Sequence, residues 1–504
     1  MLIAGALGES DFARLIDVDR DNHTLTLRWD KKREDSGYFP RALSIDDWVM
    51  PRPKPEVLCQ LARQVLGMPG EAPPNPVSMA LLSRSLPQFL PDCGPTSGTF
   101  TDDLADILSW VNDLDSSYVA IQGPPGTGKT YRGARIIHAL ITSGKRVGIS
   151  AMGHAAIDNL LKAVHDVFVE KGELSRLSAC KRSKEPDGGG LAGVTYPGGN
   201  PAAANSKFNL VAGTSWLFSS KEMRNAPVDV LVTDEAGQLS LADAVAASGA
   251  AKNLLLLGDP LQLAQVSKGT HPDGSGASVL EYVLGDEATI ASDRGVFLAE
   301  TRRMHPAVCE FISTQFYEGR LTSYAACNEQ RIEGVEPGLG WLTATHTGRS
   351  TESPEEAAIV QSAILELLGR DWWDIEGNIA PLGVEHFMVV APYNDQVHRL
   401  RDVLDGDERT SGIQVGTVDK FQGREAPVVF FTMTTSTGED MPRGPEFLFS
   451  RNRLNVAVSR AQCVAYLVCT EELLNSRART VDDMRLIGTL SAFVEEARAG
   501  SLLR

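Results

Sequence analysis

Gly123-Pro124-Pro125-Gly126-Thr127-Gly128-Lys129-Thr130 is a glycine-rich octet that ends in an amine and a hydroxyl. Glycines at this spacing let backbone N–H groups close around phosphates at a helix N-terminus. There Lys129 can reach the β- and γ-phosphates of a triphosphate, and the Thr130 hydroxyl can bind Mg2+. Further along, Asp234 and Glu235 end an apolar run, Val-Asp-Val-Leu-Val-Thr. Asp234 is placed to hold the metal through water, and Glu235 to polarise the attacking water. Two carboxylates at a strand end are costly to bury without a cation, which argues for a metal-bearing role. Gln262, in Gly258-Asp259-Pro260-Leu261-Gln262, follows another strand end, where an amide can sense a γ-phosphate. Arg303 and Arg460 stand in the second half of the chain. An arginine brought across a domain interface stabilises charge on a transferring phosphoryl group, an effect worth ~10³–10⁵ in rate.

These groups need elements to aim them. The octet must follow a strand and open a helix, and 118–122 and 131–142 have those patterns. A helix over 103–114 precedes them. A strand at 146–150, a helix at 155–169 and short apolar strands at 210–212, 228–233 and 253–257 follow. Continuous apolar strands between helices predict a parallel sheet covered on both faces. A second alternating block from 296 to 504 has strands at 387–391, 414–417, 428–432 and 463–469 and lacks its own phosphate loop. One complete site beside a second α/β domain implies that nucleotide sits between the two. The expected domains are therefore 1–97, 98–295 and 296–504. Residues 12–29 hold two β-rich runs around Asp19-Arg-Asp-Asn22, a hairpin signal, and helical patterns lie at 57–66 and 78–90. Residues 181–207, rich in Gly, Pro and polar types, read as a loop insertion within about 176–208. Arg176, Lys181, Arg182 and Lys184 at its start could touch a nucleic-acid strand, although a solvated loop is the ordinary reading.

The composition limits the class. At 504 residues the chain exceeds a single core of ~100–200 residues. No apolar run approaches the ~20 residues that span a bilayer, and the N-terminus lacks a basic flank, so a cytoplasmic protein without membrane partners is expected. Seven singly spaced cysteines support neither a disulfide framework nor a zinc site. The net charge of −17 implies that any basic residues contacting a polyanion are gathered in one groove.

Taken together, these residues resemble the B branch of helicase superfamily 1, which contains the nonsense-mediated-decay RNA helicase. Arg302-Arg-Met-His-Pro306, Phe316-Tyr-Glu-Gly-Arg-Leu321, Val418-Asp-Lys-Phe-Gln-Gly-Arg-Glu425 and Asn455-Val-Ala-Val-Ser-Arg460 carry the likeness. Gly153-His-Ala-Ala-Ile-Asp-Asn-Leu-Leu161, Gly213-Thr-Ser-Trp-Leu-Phe218 and Val266-Ser-Lys-Gly-Thr-His-Pro272 resemble more closely the helicase half of bacterial proteins fused to a RecB-type nuclease. The resemblance implies two tandem RecA-like domains holding ATP and Mg2+, with a small N-terminal β-barrel-like module. It implies a monomer moving 5′-to-3′ on single-stranded nucleic acid, DNA ahead of RNA, with a partner nuclease. Arg302, Gly423 and Glu425 would lie near the nucleotide, and Ser150, His154, Thr214, Tyr393 and Thr417 against the nucleic-acid backbone. Three departures stand out. No glutamine precedes Tyr118 where the family reads adenine, Arg302 replaces a tyrosine, and Gly153-His154 replaces a Ser-Asn pair. An RNA or RNP-remodelling ATPase that clamps without unwinding would use the same site. A small-molecule kinase is contradicted by the second arginine-bearing domain.

Overall fold

The computed structural model describes residues 2–4, 11–19, 24–28, 43–45, 50–183, 190–263, 265, 269, 271–272, 274–421 and 423–500. Two compact units divide the chain, Met1–Pro55 and Glu56–Arg504. In the first, strands Asp11–Asp19 and Thr24–Arg28 pair antiparallel with Leu15 opposite Leu27. Leu2–Ala4 lies against the other side of Asp11–Asp19, and Leu43–Ile45 completes a four-stranded sheet. The expected hairpin is thus present as strands, while its turn residues 20–22 lie outside the described residues.

The second unit holds two parallel sheets. The first has eight strands in the order Gly295–Phe297, Tyr118–Gln122, Ala251–Gly258, Val228–Thr233, Val147–Ser150, Leu210–Ala212, Ala179–Lys181, Val194–Thr195. Alternate residues of these strands enter different cores. Val119, Ile121, Ile149 and Val232 pack on one face, and Ala120, Leu231 and Leu256 on the other. Burial of both faces is why the strands read as unbroken apolar runs. Helices Lys129–Thr142 and His154–Glu170 cover one face through Ile136, Ile137, Leu160 and Val164.

The second sheet runs Gly338–Ala344, Ala461–Thr470, Ala426–Thr432, Phe387–Ala391, Gln414–Thr417, again all parallel. Its central strands are buried throughout except at Gln462. The closing helix Val481–Gly500 packs Phe493 edge-on to Phe311 at 5.4 Å.

Two expectations are revised. The helix predicted over 78–90 spans only Pro76–Leu82, capped by Asn75; beyond it Arg84 takes a positive φ of 50° that no helix tolerates. The stretch read as a loop insertion contains the strand Val194–Thr195 and the helix Asn200–Ala203, and Lys181 ends a sheet strand. Among the described residues, no helix is long and apolar enough to cross a membrane.

Candidate active site

The glycine-rich octet leaves the strand Tyr118–Gln122 and closes with Gly128 in the left-handed region, φ 76°, as the cap of helix Lys129–Thr142. A Cβ on Gly123 would stand 2.3 Å from the Lys129 side chain, so the loop wraps too tightly for any other residue. The Lys129 ammonium donates to the carbonyls of Gly123 at 2.5 Å and Pro124 at 3.3 Å. The Thr127 hydroxyl donates to Pro124 at 2.8 Å, and Thr130 lies half-buried in the first turn. Pro125 and Gly126 do not face solvent alone: the Thr301 hydroxyl donates to the Pro125 carbonyl at 2.9 Å, and the Arg302 N–H to Gly126 at 3.0 Å.

Asp234 emerges at the end of Val228–Thr233, on a strand two removed from the loop's own. It is 5% exposed, and burial first, then the Glu235 carboxylate, hold its carboxyl well above the usual range, opposed by Lys129. Such a carboxyl gains from a divalent cation, which supplies the missing charge. Glu235 sits at φ 51°, and its N–H donates to Asp234 Oδ1 at 3.0 Å. This sharp turn brings the chain against the next strand. A Cβ on Gly237 would meet the Asp259 carbonyl oxygen at 2.3 Å, and one on Gly258 would meet the Ala236 nitrogen at 2.7 Å. Two predicted motifs are therefore joined backbone to backbone, and their glycines are a consequence of that contact.

The second half of the chain supplies the opposite wall. Arg303 is 8% exposed; its Nε donates to Glu425 Oε2 at 2.6 Å and its Nη1 to the Ser459 carbonyl at 3.1 Å. Arg460, 2% exposed, donates to the carbonyls of Val456 at 3.0 Å and Arg424 at 3.2 Å. Burial, then repulsion from Arg303, push its pKa down to about 9, against the pull of Glu235 and Glu425. Two buried guanidiniums that destabilise one another beside a phosphate loop form a donor set suited to an anion. Gly423 turns at φ 79° next to Glu425; its neighbour Gln422 lies outside the described residues. Arg302 faces outward, its guanidinium 4.3 Å from the Tyr324 ring, and it lines a cavity of about 630 Å3 beside Gly126–Gly128 and Tyr131.

A further chain of contacts had no signal in the spacing. Gln262 Nε2 donates to Asp259 Oδ2 at 3.0 Å, and the Tyr317 hydroxyl donates to the same oxygen at 2.6 Å. Asn455 Nδ2 in turn donates to the Tyr317 hydroxyl at 2.9 Å and to the Leu261 carbonyl at 2.8 Å. All four residues are buried, and they join the Gln262 turn to the helix Arg451–Val458 that leads into Arg460.

The residues expected to face nucleic acid are more scattered. His154 is exposed at the start of its helix, its pKa lowered by partial burial and then by Lys181. Thr214 is half-buried at the next strand end, and Tyr393 and Thr417 share one cavity in the second sheet. Ser150 lies deeper than the others. It is 1% exposed and its carbonyl takes the Asp234 N–H at 2.8 Å, because a residue inside this central strand is covered on both faces. Of the basic residues at 176–184, Lys181 is buried against Asp158 at 2.5 Å, Arg176 pairs with Glu173 at 3.0 Å, and Lys184 lies outside the described residues. So do 266–268 and 270 of the run from Val266 to Pro272.

A phosphate loop, an acidic strand end and a facing arginine pair, set between two parallel sheets, define a P-loop NTPase with two tandem RecA-like domains. The profiles of two families, each described as an AAA domain, match residues 111–274 and 277–472. The chain is 23% identical over 399 residues to the DNA polymerase alpha-associated DNA helicase A of Schizosaccharomyces pombe, covering 68% of this chain and 59% of that protein. It is 29% identical over 292 residues to helicase sen1 of the same organism, covering 54% of this chain and 16% of that one. With the DNA replication ATP-dependent helicase/nuclease JHS1 of Arabidopsis thaliana, identity is 22% over 394 residues, 71% of this chain and 27% of the relative. Among solved structures, the Arterivirus nonstructural protein 10 (helicase) with DNA matches at TM-score 0.39 and 16% identity, over 73% of this chain and 62% of that one. The chain is thus similar to helicases of superfamily 1 across both halves. It spans 59% of the length of the first of these relatives and far less of the other two.

Proposed function

We propose that this chain is a nucleic-acid-dependent ATPase that moves 5′-to-3′ on a single strand, DNA ahead of RNA, and separates duplexes in its path. The observation that carries the reading is the meeting of Lys129, Asp234 and Glu235 from the first sheet with Arg460 and Glu425 from the second and with Arg303 from the segment between them. Thr130 and Asp234 would hold Mg2+, which neutralises charge on the transferring phosphoryl group. Lys129 binds the β- and γ-phosphates, Glu235 orients and deprotonates the attacking water, and Arg460 stabilises the transition state when the domains close. Gln262 senses the γ-phosphate. In this reading the motor domains occupy 98–295 and 296–504, the chain works as a monomer, and it cooperates with a nuclease, as the joint name of JHS1 suggests.

The test is ATP hydrolysis with and without single-stranded DNA or matched RNA, with Lys129→Ala as the blank, followed by unwinding of a partial duplex with a 5′ tail. DNA stimulation and strand separation support the proposal. Stimulation by RNA alone, or tight gripping without separation, favours the clamp. Rates indifferent to both polymers refute it.

A further inference from the structure

We propose that Thr301 is a positioning residue for hydrolysis, its hydroxyl tying the phosphate loop to the backbone of Arg303 so that this guanidinium is aimed at the transferring phosphoryl group. The proposal rests on the ATPase reading above. Thr301 is fully buried, and its hydroxyl works in both directions. It donates to the Pro125 carbonyl at 2.9 Å and accepts from the Arg303 N–H at 3.3 Å. The Arg302 N–H, donating to the Gly126 carbonyl at 3.0 Å, makes a second tie between the same two segments. Their contact is close enough to require glycine. A Cβ on Gly126, which stands at φ 76°, would lie 2.4 Å from Thr301 Oγ1 and 2.6 Å from the Arg303 Cβ.

The far side of this segment is fixed as well. Thr301 ends the short strand Glu300–Thr301, which pairs with Thr322–Ser323, and its carbonyl accepts the Tyr324 N–H at 2.8 Å. Buried Gln330 donates to the Arg303 carbonyl at 2.9 Å. The Arg303 guanidinium is held at Nε by Glu425 and at Nη1 by the Ser459 carbonyl. Among the described residues its Nη2 makes no hydrogen bond, so that nitrogen is the donor left for a phosphoryl oxygen. Loop and arginine thus share one anchor, a single oxygen. A donor that engages most strongly in the transition state loses rate when it is misplaced, with little change in ground-state binding. The Lys129 ammonium rests on the Gly123 and Pro124 carbonyls, so nucleotide affinity is not carried by Thr301.

The experiment measures binding of a fluorescent ADP analogue with Mg2+, alone and with aluminium fluoride, a mimic of the transferring phosphoryl group. Wild type, Thr301→Val and Thr301→Ser are compared, each with Arg303 intact or in the Arg303→Ala background. Thr301→Val keeps the shape and removes the hydroxyl, Thr301→Ser keeps the hydroxyl, and Thr301→Ala is a second probe that adds no apolar bulk at the loop. The expected result is about tenfold weaker binding of the fluoride complex by Thr301→Val, the order of one buried hydrogen bond, with ADP alone held within about twofold. Thr301→Ser should restore the wild-type preference, and Thr301→Val should add nothing in the Arg303→Ala background. Thr301→Val and Thr301→Ala proteins that keep the full preference overturn the proposal. So does a loss that falls equally on ADP and the fluoride complex, or one unchanged in the Arg303→Ala background, the marks of packing alone. If the wild type gains nothing from aluminium fluoride and its hydrolysis is indifferent to DNA and RNA, the proposed function itself falls.

Discussion

Replacing Tyr317 by Phe removes one oxygen from the center of the contact between the two sheets. The hydroxyl is fully buried, donates to Asp259 at 2.6 Å and accepts from Asn455 at 2.9 Å. Burial, then the Asp259 carboxylate, hold the phenol well above its ordinary pKa, so it remains a donor at every working pH. The ring keeps its packing against Phe297 at 6.2 Å, and no large cavity opens. Partners are not stranded either. Asp259 retains Gln262 at 3.0 Å, and Asn455 retains the Leu261 carbonyl at 2.8 Å. What is lost is two hydrogen bonds, of which the one to the charged Asp259 is the larger, about 1.5–3 kcal/mol. Taken as about 2 kcal/mol and placed on the equilibrium between joined and parted domains, the loss amounts to roughly thirtyfold. Strand-stimulated kcat for ATP should fall by that order, while nucleotide affinity measured with a fluorescent analogue stays within a few-fold. Asn455→Ala should act non-additively with Tyr317→Phe, because both cut the same chain. A Tyr317→Phe protein that folds normally and keeps kcat within twofold would refute the reasoning and reduce Tyr317 to packing.

Other substitutions probe other walls of the site. Arg460→Ala should leave ATP binding intact and slow hydrolysis at least about a hundredfold in single-turnover assays, consistent with a transition-state arginine. Mg2+ affinity, followed by calorimetry with nucleotide bound, should weaken as pH falls. Asp234 is held above its ordinary range and must lose its proton to take the metal, so the protonated fraction that competes grows toward acid. Gly237→Ala would push a Cβ to 2.3 Å from the Asp259 carbonyl oxygen, where backbone meets backbone and neither can yield cheaply. A loss of about 1–3 kcal/mol or more is expected in denaturant melts, and an unchanged midpoint would show that the turn can open to admit the methyl group.

Much of the fold was legible because its determinants are local. The strand runs 118–122, 210–212, 228–233, 387–391 and 414–417 recur in the structure with the predicted bounds, and all but the Gln-Val-Gly-Thr run of 414–417 are short, largely apolar segments. The phosphate loop and the acidic pair were legible for the same reason. The Asp259–Tyr317–Asn455 chain was not, because its members are 58 and 138 residues apart and only the strand order brings them together. Ser150 is the converse case. A small polar residue at a strand end reads as a surface contact, yet Ser150 is 1% exposed because the layers on the faces of the sheet cover it.

The sheet directions constrain how nucleotide and strand can be linked. In the first sheet both predicted sets follow strand ends: Gly123, Asp234 and Gln262 after three adjacent strands, His154 and Thr214 after the next two. One hydrogen bond, Asp234 N–H to the Ser150 carbonyl, already spans the boundary between them. In the second sheet the sets part. Glu425 and Arg460 immediately precede the strands Ala426–Thr432 and Ala461–Thr470, whereas Tyr393 and Thr417 lie at or just beyond the ends of theirs. In a parallel sheet all beginnings share one edge and all ends the other, so these groups lie a full strand apart, roughly 20 Å for seven residues. A buried sheet does not deform over that distance; it moves as a body. A movement of Arg460 with its sheet therefore carries Tyr393 and Thr417, at the opposite edge of that sheet, with it. The buried contact of Tyr317 with Asp259 favours the joined arrangement, which is why a single hydroxyl there should govern the rate.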